Sequence, residues 1–247
     1  MAILNRAAFA ALSLLIAFAV TPAQAGVITH VVDFENVDTT NAVFAPLLGN
    51  GDEITQSGFW MDPFSNSASA QLGDLVGALV DGTDVAATCS GLICPTNNVS
   101  KFFVGLNDAV LYIGQLDGRS FSIDGFDAAF VGDPLGLYPG IPGRLIMQGV
   151  RASDGAQFGY VAANLTSTNF NAFTMSAGGA LRNTQWSSMF IFAQTCSLAG
   201  SCTSFNNDRA QFALDNLRLN VIPEPASLAL VALALTGLGV IRRRRQA

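Results

Sequence analysis

Between residues 26 and 222 the chain is a succession of short, alternating apolar stretches cut by Gly, Asn, Asp and Pro, with no sustained helical stripe. This feature constrains the fold most. Period-two alternation puts successive side chains on opposite faces of a strand, whereas a helix needs apolar residues every three to four positions. Ten strands are predicted, over 28–35, 56–61, 100–104, 109–114, 119–131, 143–152, 156–163, 169–175, 186–194 and 209–221. One segment, Asp74 to Asp81 (DLVGALVD), reads as a short helix. So many short strands with turn-rich connections favour an all-β, jelly-roll-like β-sandwich over residues 26–220. No repeat of fixed period is present, which argues against a solenoid or propeller.

Strand phase adds detail. In AQFALDNLRLNV, Phe212 and Leu214 share one parity while Leu217, Leu219 and Val221 hold the other. A regular strand cannot bury both sets on one side, so a β-bulge is predicted at Asp215-Asn216. The same argument places a slip at Asp124-Gly125, between Phe121/Ile123 and Phe126/Ala128/Phe130. In ITHVVDFE, the alternation puts Asp33 and Glu35 side by side on one face.

The two ends of the chain differ from the body. Arg6, the apolar run Ala7 to Val20 and Ala23-Gln24-Ala25 follow the order of a signal peptide over 1–25, removed by signal peptidase to expose Gly26. Without the ends, the body carries seven basic and seventeen acidic side chains. That balance argues against nucleic acid, whose phosphates need clustered Lys and Arg, and suits cations, neutral glycans or basic partners. Export also makes disulfides available. The four cysteines form two close pairs, Cys89/Cys94 and Cys196/Cys202. Four cysteines allow three connectivities, of which Cys89–Cys94 with Cys196–Cys202 is the simplest. A zinc site is the rival reading, but no His lies near either pair and the spacings are not those of zinc ribbons.

No catalytic constellation stands out. The single histidine, His30, lies close to the start of the mature chain, and neither Gly-x-Ser-x-Gly nor His-Glu-x-x-His occurs. No catalytic residue is assigned, although a hydrolase working through paired Asp residues is the alternative that so acidic a body leaves open. Aromatic platforms for sugars would come from Trp60, Tyr138 or Trp186, since most other aromatics are Phe and belong in a core.

The last segment, 221–247, contains Pro223-Glu224-Pro225, an uncharged run over 226–241 and Arg242, Arg243, Arg244 and Arg245. At 1.5 Å per residue the run spans about 24 Å, short of a ~30 Å hydrocarbon core, but the arginines can snorkel and hold that end in the cytoplasm. The two prolines keep the preceding segment extended and accessible. Triplet, short transmembrane helix and Arg cluster in this order resemble the PEP-CTERM sorting signal of exopolysaccharide-producing Gram-negative bacteria. The resemblance covers about the last 27 residues. It implies processing by a membrane exosortase and delivery to the cell surface or extracellular matrix, where the bland alternative is a permanent single-span anchor. The phrase QFALDN, Gln211 to Asn216, is similar to the Gln-Phe-x-x-Asp mark of one PEP-CTERM subfamily.

A second resemblance joins the ends of the body. An early Asp-Phe-Glu strand and a last Leu-Asp-Asn strand resemble the paired edges of calcium-containing carbohydrate-binding jelly rolls. Carried over, it implies a structural Ca²⁺ held by Glu35 and Asp215, with Asp33 or Asn216 adding to the shell and carbonyls and water completing it. The sequence therefore leads us to expect an exported, non-enzymatic surface or matrix protein associated with exopolysaccharide and able to bind glycan, with the paired-Asp hydrolase or a purely structural domain without ligand as the alternatives.

Overall fold

The computed structural model describes residues 26–222 apart from 135, 167, 206 and 207. The signal peptide and the sorting tail, including Pro223 to Pro225, the 226–241 run and Arg242 to Arg245, lie outside the described residues. Among those described, no helix is long and apolar enough to cross a membrane.

The alternation produces fifteen strands: β1 (Ile28–Val32), β2 (Asp38–Asn41), β3 (Leu47–Gly49), β4 (Glu53–Gln56), β5 (Phe59–Ser65), β6 (Leu75–Asp81), β7 (Lys101–Gly105), β8 (Ala109–Gln115), β9 (Phe121–Phe130), β10 (Gly143–Arg151), β11 (Gln157–Leu165), β12 (Asn171–Thr174), β13 (Trp186–Cys196), β14 (Cys202–Thr203) and β15 (Phe212–Val221). Among the described residues two single-turn helices, α1 (Val85–Thr88) and α2 (Ala180–Asn183), sit in connections. The strands form a curled antiparallel sheet folded into two layers. One layer runs β2-β4-β5-β8-β13-β10-β11. The other runs β12-β9-β15-β7-β6-β3, with β1 also paired to β15. A single residue pair, Trp186 opposite Phe121, stitches β13 to β9 where the layers meet. The main core fills the space between them: Phe59, Met61, Leu111, Ile113 and Ile191 come from the first layer, and Phe121, Phe126, Phe212, Leu217 and Leu219 from the second.

Both predicted phase slips occur, and they face each other. Along the β9/β15 ladder Asp215 pairs with Asp127, Arg218 with Gly125 and Leu219 with Ile123. One extra residue on β15 and one on β9 thus restore register in turn. Asn216 adopts a left-handed φ of 48° at the first slip. In consequence Phe212, Leu214, Leu217, Leu219 and Val221 are all fully buried despite their change of parity.

Three sequence expectations are corrected. Asp74 to Asp81 is not a helix: Leu75–Asp81 is strand β6, between β3 and β7. Val76, Gly77 and Ala78 are buried in succession, so both faces are covered, and a strand buried on both sides loses the alternation that marks strands. The 56–61 strand is instead a hairpin corner. Ser57 and Gly58 take φ of 54° and 85°, the conformation of a two-residue turn between β4 and β5. Finally, β1 ends at Val32 and Phe34 has φ 56°, so Asp33 and Glu35 do not share a strand face.

Cys89 bonds Cys94 and Cys196 bonds Cys202, the sequence-local pairing. The second bridge ties β13 to β14 directly across a residue pair. The first closes a loop over the outer face of the second layer. There Cys89, Cys94, Phe102, Val104 and Ala213 form a second apolar cluster, with Leu92 and Phe170 packed against it.

Candidate functional site

Covering the outside of the second layer leaves the first layer as the one whose outer face is built differently. On β5 the inward residues Phe59, Met61 and Pro63 are buried, so Trp60, Asp62 and Phe64 point outward. Register then dictates their neighbours. Asp62 lies opposite Tyr112 on β8, Tyr112 opposite Phe190 on β13, and Phe190 opposite Gln148 on β10. Trp60 and Tyr112 rings meet edge-on at 4.8 Å, Tyr112 and Phe190 stack at 4.3 Å, and Phe64 approaches Phe190 at 6.3 Å. Gly114, opposite Trp60, leaves room for the indole to lie on the sheet: a Cβ there would meet Trp60 Cζ2 at 2.3 Å. A cleft of about 250 Å³ continues this face, lined by Phe64, Asn66, Gln148, Phe190, Phe192 and Phe205.

The electrostatics of the face centre on Asp62. Burial raises its carboxyl above the usual range, and the charge of Glu53 raises it further. One register step beyond Ile54–Met61 places Glu53 opposite Asp62. Asp62 Oδ1 is buried with no hydrogen-bond partner. Aromatic rings, a half-buried carboxylate and amides on one sheet face are chemistry that suits sugars, whose C–H faces pack on rings and whose hydroxyls donate to polar side chains.

A second polar cluster lies at the paired bulges. Asp215, fully buried, accepts at Oδ2 from Asn98 Nδ2 (2.7 Å) and Ser100 Oγ (2.8 Å), and at Oδ1 from the Asn216 N–H (2.7 Å). Asn216 Nδ2 donates to Asp127 Oδ2 at 2.8 Å, while Asp127 Oδ1 is buried without a partner. Burial pushes the Asp215 carboxyl up to about 6 despite those donors, and Asp127 adds to the rise. The other expected calcium ligands are engaged elsewhere. Asp33 Oδ1 accepts from Gln56 Nε2 (2.5 Å) and the Glu35 N–H (3.2 Å). Glu35 Oε1 accepts from the Lys101 N–H (3.0 Å), next to Ser100. Glu35 and Asp215 thus both end on the 98–101 segment, but Asp33 does not join them there through any hydrogen bond. Among the described residues no group of three or more His, Cys, Asp or Glu side chains is placed to hold a metal ion. The groups turned toward these two carboxylates are donors, the amide nitrogens of Asn98 and Asn216 and the Ser100 hydroxyl, while Asn98 Oδ1 accepts from the Ser100 N–H at 2.9 Å. Glu35 also lines a cleft of about 420 Å³ with Phe34, Thr39, Pro46, Asp81 and Lys101.

Of the three expected platforms, only Trp60 stands on an outer face. Trp186 is fully buried, its Nε1 donates to Leu181 O at 3.2 Å, and it offers no surface to a ligand. A register shift between Val150 and Arg151, opposite Ser188 and Trp186, turns Trp186 inward although its parity matches that of Phe190. Tyr138 staples its own loop: its hydroxyl accepts from the Asp133 N–H (2.6 Å), and its ring packs on Phe130 (5.1 Å). Sequence reasoning missed Tyr112, Phe190, Asp62, Asp127 and Asn98. Asp62 and Phe64 were signalled by their parity with Trp60, but Tyr112, Phe190, Asp127 and Asn98 come together only through strand pairing and loop placement.

No protein-family model and no curated protein sequence matches the chain. Among solved structures, it is similar to a DUF4465 family protein from Bacteroides ovatus at 9% identity and TM-score 0.40, covering 79% of this chain and 98% of that one. It is also similar to the CBM22-1–GH10 modules of Clostridium thermocellum endo-1,4-β-D-xylanase 10B, crystallised with xylohexaose, at 9% identity and TM-score 0.34, covering 80% of this chain and 28% of that one. A third is the CBM22-2 xylan-binding domain of Paenibacillus barcinonensis Xyn10C, at 11% identity and TM-score 0.32, covering 78% and 98%. At these TM-scores and identities the likenesses assign neither a ligand nor an activity to this chain.

Proposed function

We propose that this chain is an exported, non-enzymatic surface or extracellular-matrix protein that binds polysaccharide through the outer face of β5, β8 and β13. The observation that carries the reading is the aromatic row Trp60–Tyr112–Phe190 flanked by Asp62 and Gln148 on an open sheet face. The two disulfides suit an oxidising compartment, and a curled antiparallel sheet in two layers is a scaffold that would hold such a face rigid, in keeping with the expected jelly-roll-like sandwich. Delivery would follow from the signal peptide and the Pro223-Glu224-Pro225 tail, with an exosortase as processing partner. A structural Ca²⁺ would sit at the bulges on Asp215 and Asp127, and would require the Asn98 and Asn216 amides, whose nitrogens now face the carboxylates, to turn their oxygens inward, with Glu35 reaching the adjoining backbone. It would relieve the opposed charges of buried Asp215 and half-buried Asp127 and fix the β9/β15 junction.

Affinity electrophoresis of the full-length protein in gels holding the host's exopolysaccharide tests the binding. Retardation that rises with polysaccharide content is expected; migration unchanged at every content would sink the reading. Millimolar calcium should raise the melting temperature by a margin lost in Asp215→Ala, and no shift would remove the metal. Tail mass should differ between hosts with and without exosortase, and identical masses would leave only an anchor. A second reading has one observation in its favour: Asp62 is a carboxyl raised by burial opposite another acid, as a glycosidase requires of its general acid. Release of reducing ends from the polymer, abolished in Asp62→Asn, would establish it in place of simple binding.

A further inference from the structure

We infer that this chain pairs with a second copy of itself, edge to edge along β11, so that the first layers of two molecules join into one antiparallel sheet. The inference does not depend on the glycan reading. An edge strand presents unpaired N–H and C=O groups, and proteins blunt such edges by keeping them short, by bulges, or by Lys and Pro. The other ends of the two layers follow this rule. β2 has four residues, carries Asp38 and shifts register between Asp38 and Asn41; β3 has three residues and β12 has four. β11 does not follow it. It runs for nine residues, Gln157–Leu165 (QFGYVAANL), without a charge or a proline, and pairs only with β10. Its register shift falls beyond Val161, and Gln157, Phe158, Gly159 and Val161 are exposed.

The ladder fixes which backbone groups are left over. The Arg151 N–H donates to Ala156 O at 2.8 Å, so Ala156 faces β10. Along an antiparallel strand these directions alternate, which turns the N–H and C=O of Gln157, Gly159 and Val161 away from β10. Among the described residues no backbone bond from another element reaches them. The segment is complementary to itself. In a two-fold antiparallel pairing centred on Gly159, each Gly159 meets the other and Gln157 meets Val161 of the second copy, so all these outward groups find partners. Phe158 and Tyr160 lie opposite Gly149 and Met147, on the inner face. The same register sets Phe158 against Tyr160 of the second copy, once on each side of the axis, and aromatic cross-strand pairs are favourable. No charged side chains meet on the paired segment, and the repulsion between two acidic bodies acts at a range that salt screens. A two-fold axis normal to the sheet keeps both outer faces on one side. On the glycan reading, the dimer would then hold one polymer at two aromatic rows.

Light scattering on the full-length protein tests the association. One strand pair is a small interface, so the mass should rise from one chain to two between about 1 and 100 μM. The rise should come at lower concentration in about 0.5 M salt than in about 0.05 M. Val161→Pro removes an N–H that β10 does not use, and should abolish the dimer while keeping the circular-dichroism spectrum. Gly159→Cys reads the register without relying on that variant. A Cβ at Gly159 meets nothing within 4 Å, and no native cysteine is free, so the new thiol stands alone. Across the axis its Cα lies about 5.5 Å from its twin, within the ~4.4–6.8 Å that a disulfide spans. Mild oxidation should therefore give a covalent dimer. Gln157→Cys and Val161→Cys each stand about 14 Å from their own twins, at ~3.4 Å per residue, and should bridge only when the two variants are mixed. A single-chain mass up to about 200 μM in high salt would overturn the inference. So would a dimer that survives Val161→Pro and fails to bridge in Gly159→Cys, which would place the contact elsewhere. Bridging of Gln157→Cys alone would overturn the two-fold register. A monomer whose Gly159→Cys thiol is shielded from maleimide would put another segment of the same chain on this edge and overturn it as well.

Discussion

Two glycines separate the core from the binding face, and substituting each tests the assignment. A Cβ at Gly149 would lie 2.3 Å from Trp186 Cε3 and 2.6 Å from Cδ2; a Cβ at Gly114 would lie 2.3 Å from Trp60 Cζ2 and 2.6 Å from Cε2. The collisions are equal, but the freedom to relieve them is not. Trp186 is fully buried and pinned by its Nε1 bond to Leu181 O, so Gly149→Ala forces the core apart. Overpacking of this kind costs about 1–3 kcal/mol, less some 0.4–1 kcal/mol gained from a stiffer unfolded chain, for a net loss near 1.5 kcal/mol. In a domain of this size that lowers the melting temperature by about 5 °C. Trp60 lies on an outer face and can swing away, so Gly114→Ala should cost under about 1 kcal/mol while lifting the indole off the sheet and weakening polysaccharide binding several-fold. Thermal melts followed by circular dichroism give the first quantity and affinity electrophoresis the second. The chain has two tryptophans, so acrylamide quenching also separates a shielded Trp186 from an accessible Trp60. Equal destabilisation by both substitutions, or a neutral Gly149→Ala, would refute the reasoning.

Other consequences follow from the bulges and the bridges. Because burial raises Asp215 to about 6, the native state binds a proton more tightly than the unfolded chain does. In chelator, stability should therefore fall as pH rises from about 4 to above 6, by up to about 3 kcal/mol, and Asp215→Asn should flatten that slope. Urea melts across the window check it, and a Asp215-dependent rise would contradict it. Leu217→Ala, which empties the first inward position after the β15 bulge, should cost about 2–5 kcal/mol by denaturant titration. Opening the Cys196–Cys202 bridge with a Ser pair should cost about 2 kcal/mol, the loop-entropy value for so short a loop.

The outline of the fold was legible where one face of a strand is wet. Changes of parity in Phe212-to-Val221 and Phe121-to-Phe130 located two bulges that the ladder confirms, because the core demands both apolar sets. Legibility failed where that contrast disappears: β6 is covered on both faces and reads as a helical run. It failed again where the cause is remote. Nothing local to Trp186 marks the register shift that turns it inward, and nothing in β8 or β13 alone says that Tyr112 will stand beside Asp62. The face is a product of register, which a strand-by-strand reading does not contain. The acidic pair at the bulge has the same origin, since Asp127 and Asp215 meet only through the β9/β15 pairing.

The central claim is that polysaccharide lies on the outer face of β5, β8 and β13. Hydroxyl-radical footprinting of the full-length protein, with and without saturating host exopolysaccharide, reads that contact directly by mass spectrometry. The account predicts that Trp60, Tyr112 and Phe190 lose reactivity on binding, while buried Trp186 is unreactive in both states and Tyr138 is unchanged. Saturable binding that leaves Trp60 and Tyr112 as reactive as before would place the ligand elsewhere and contradict it.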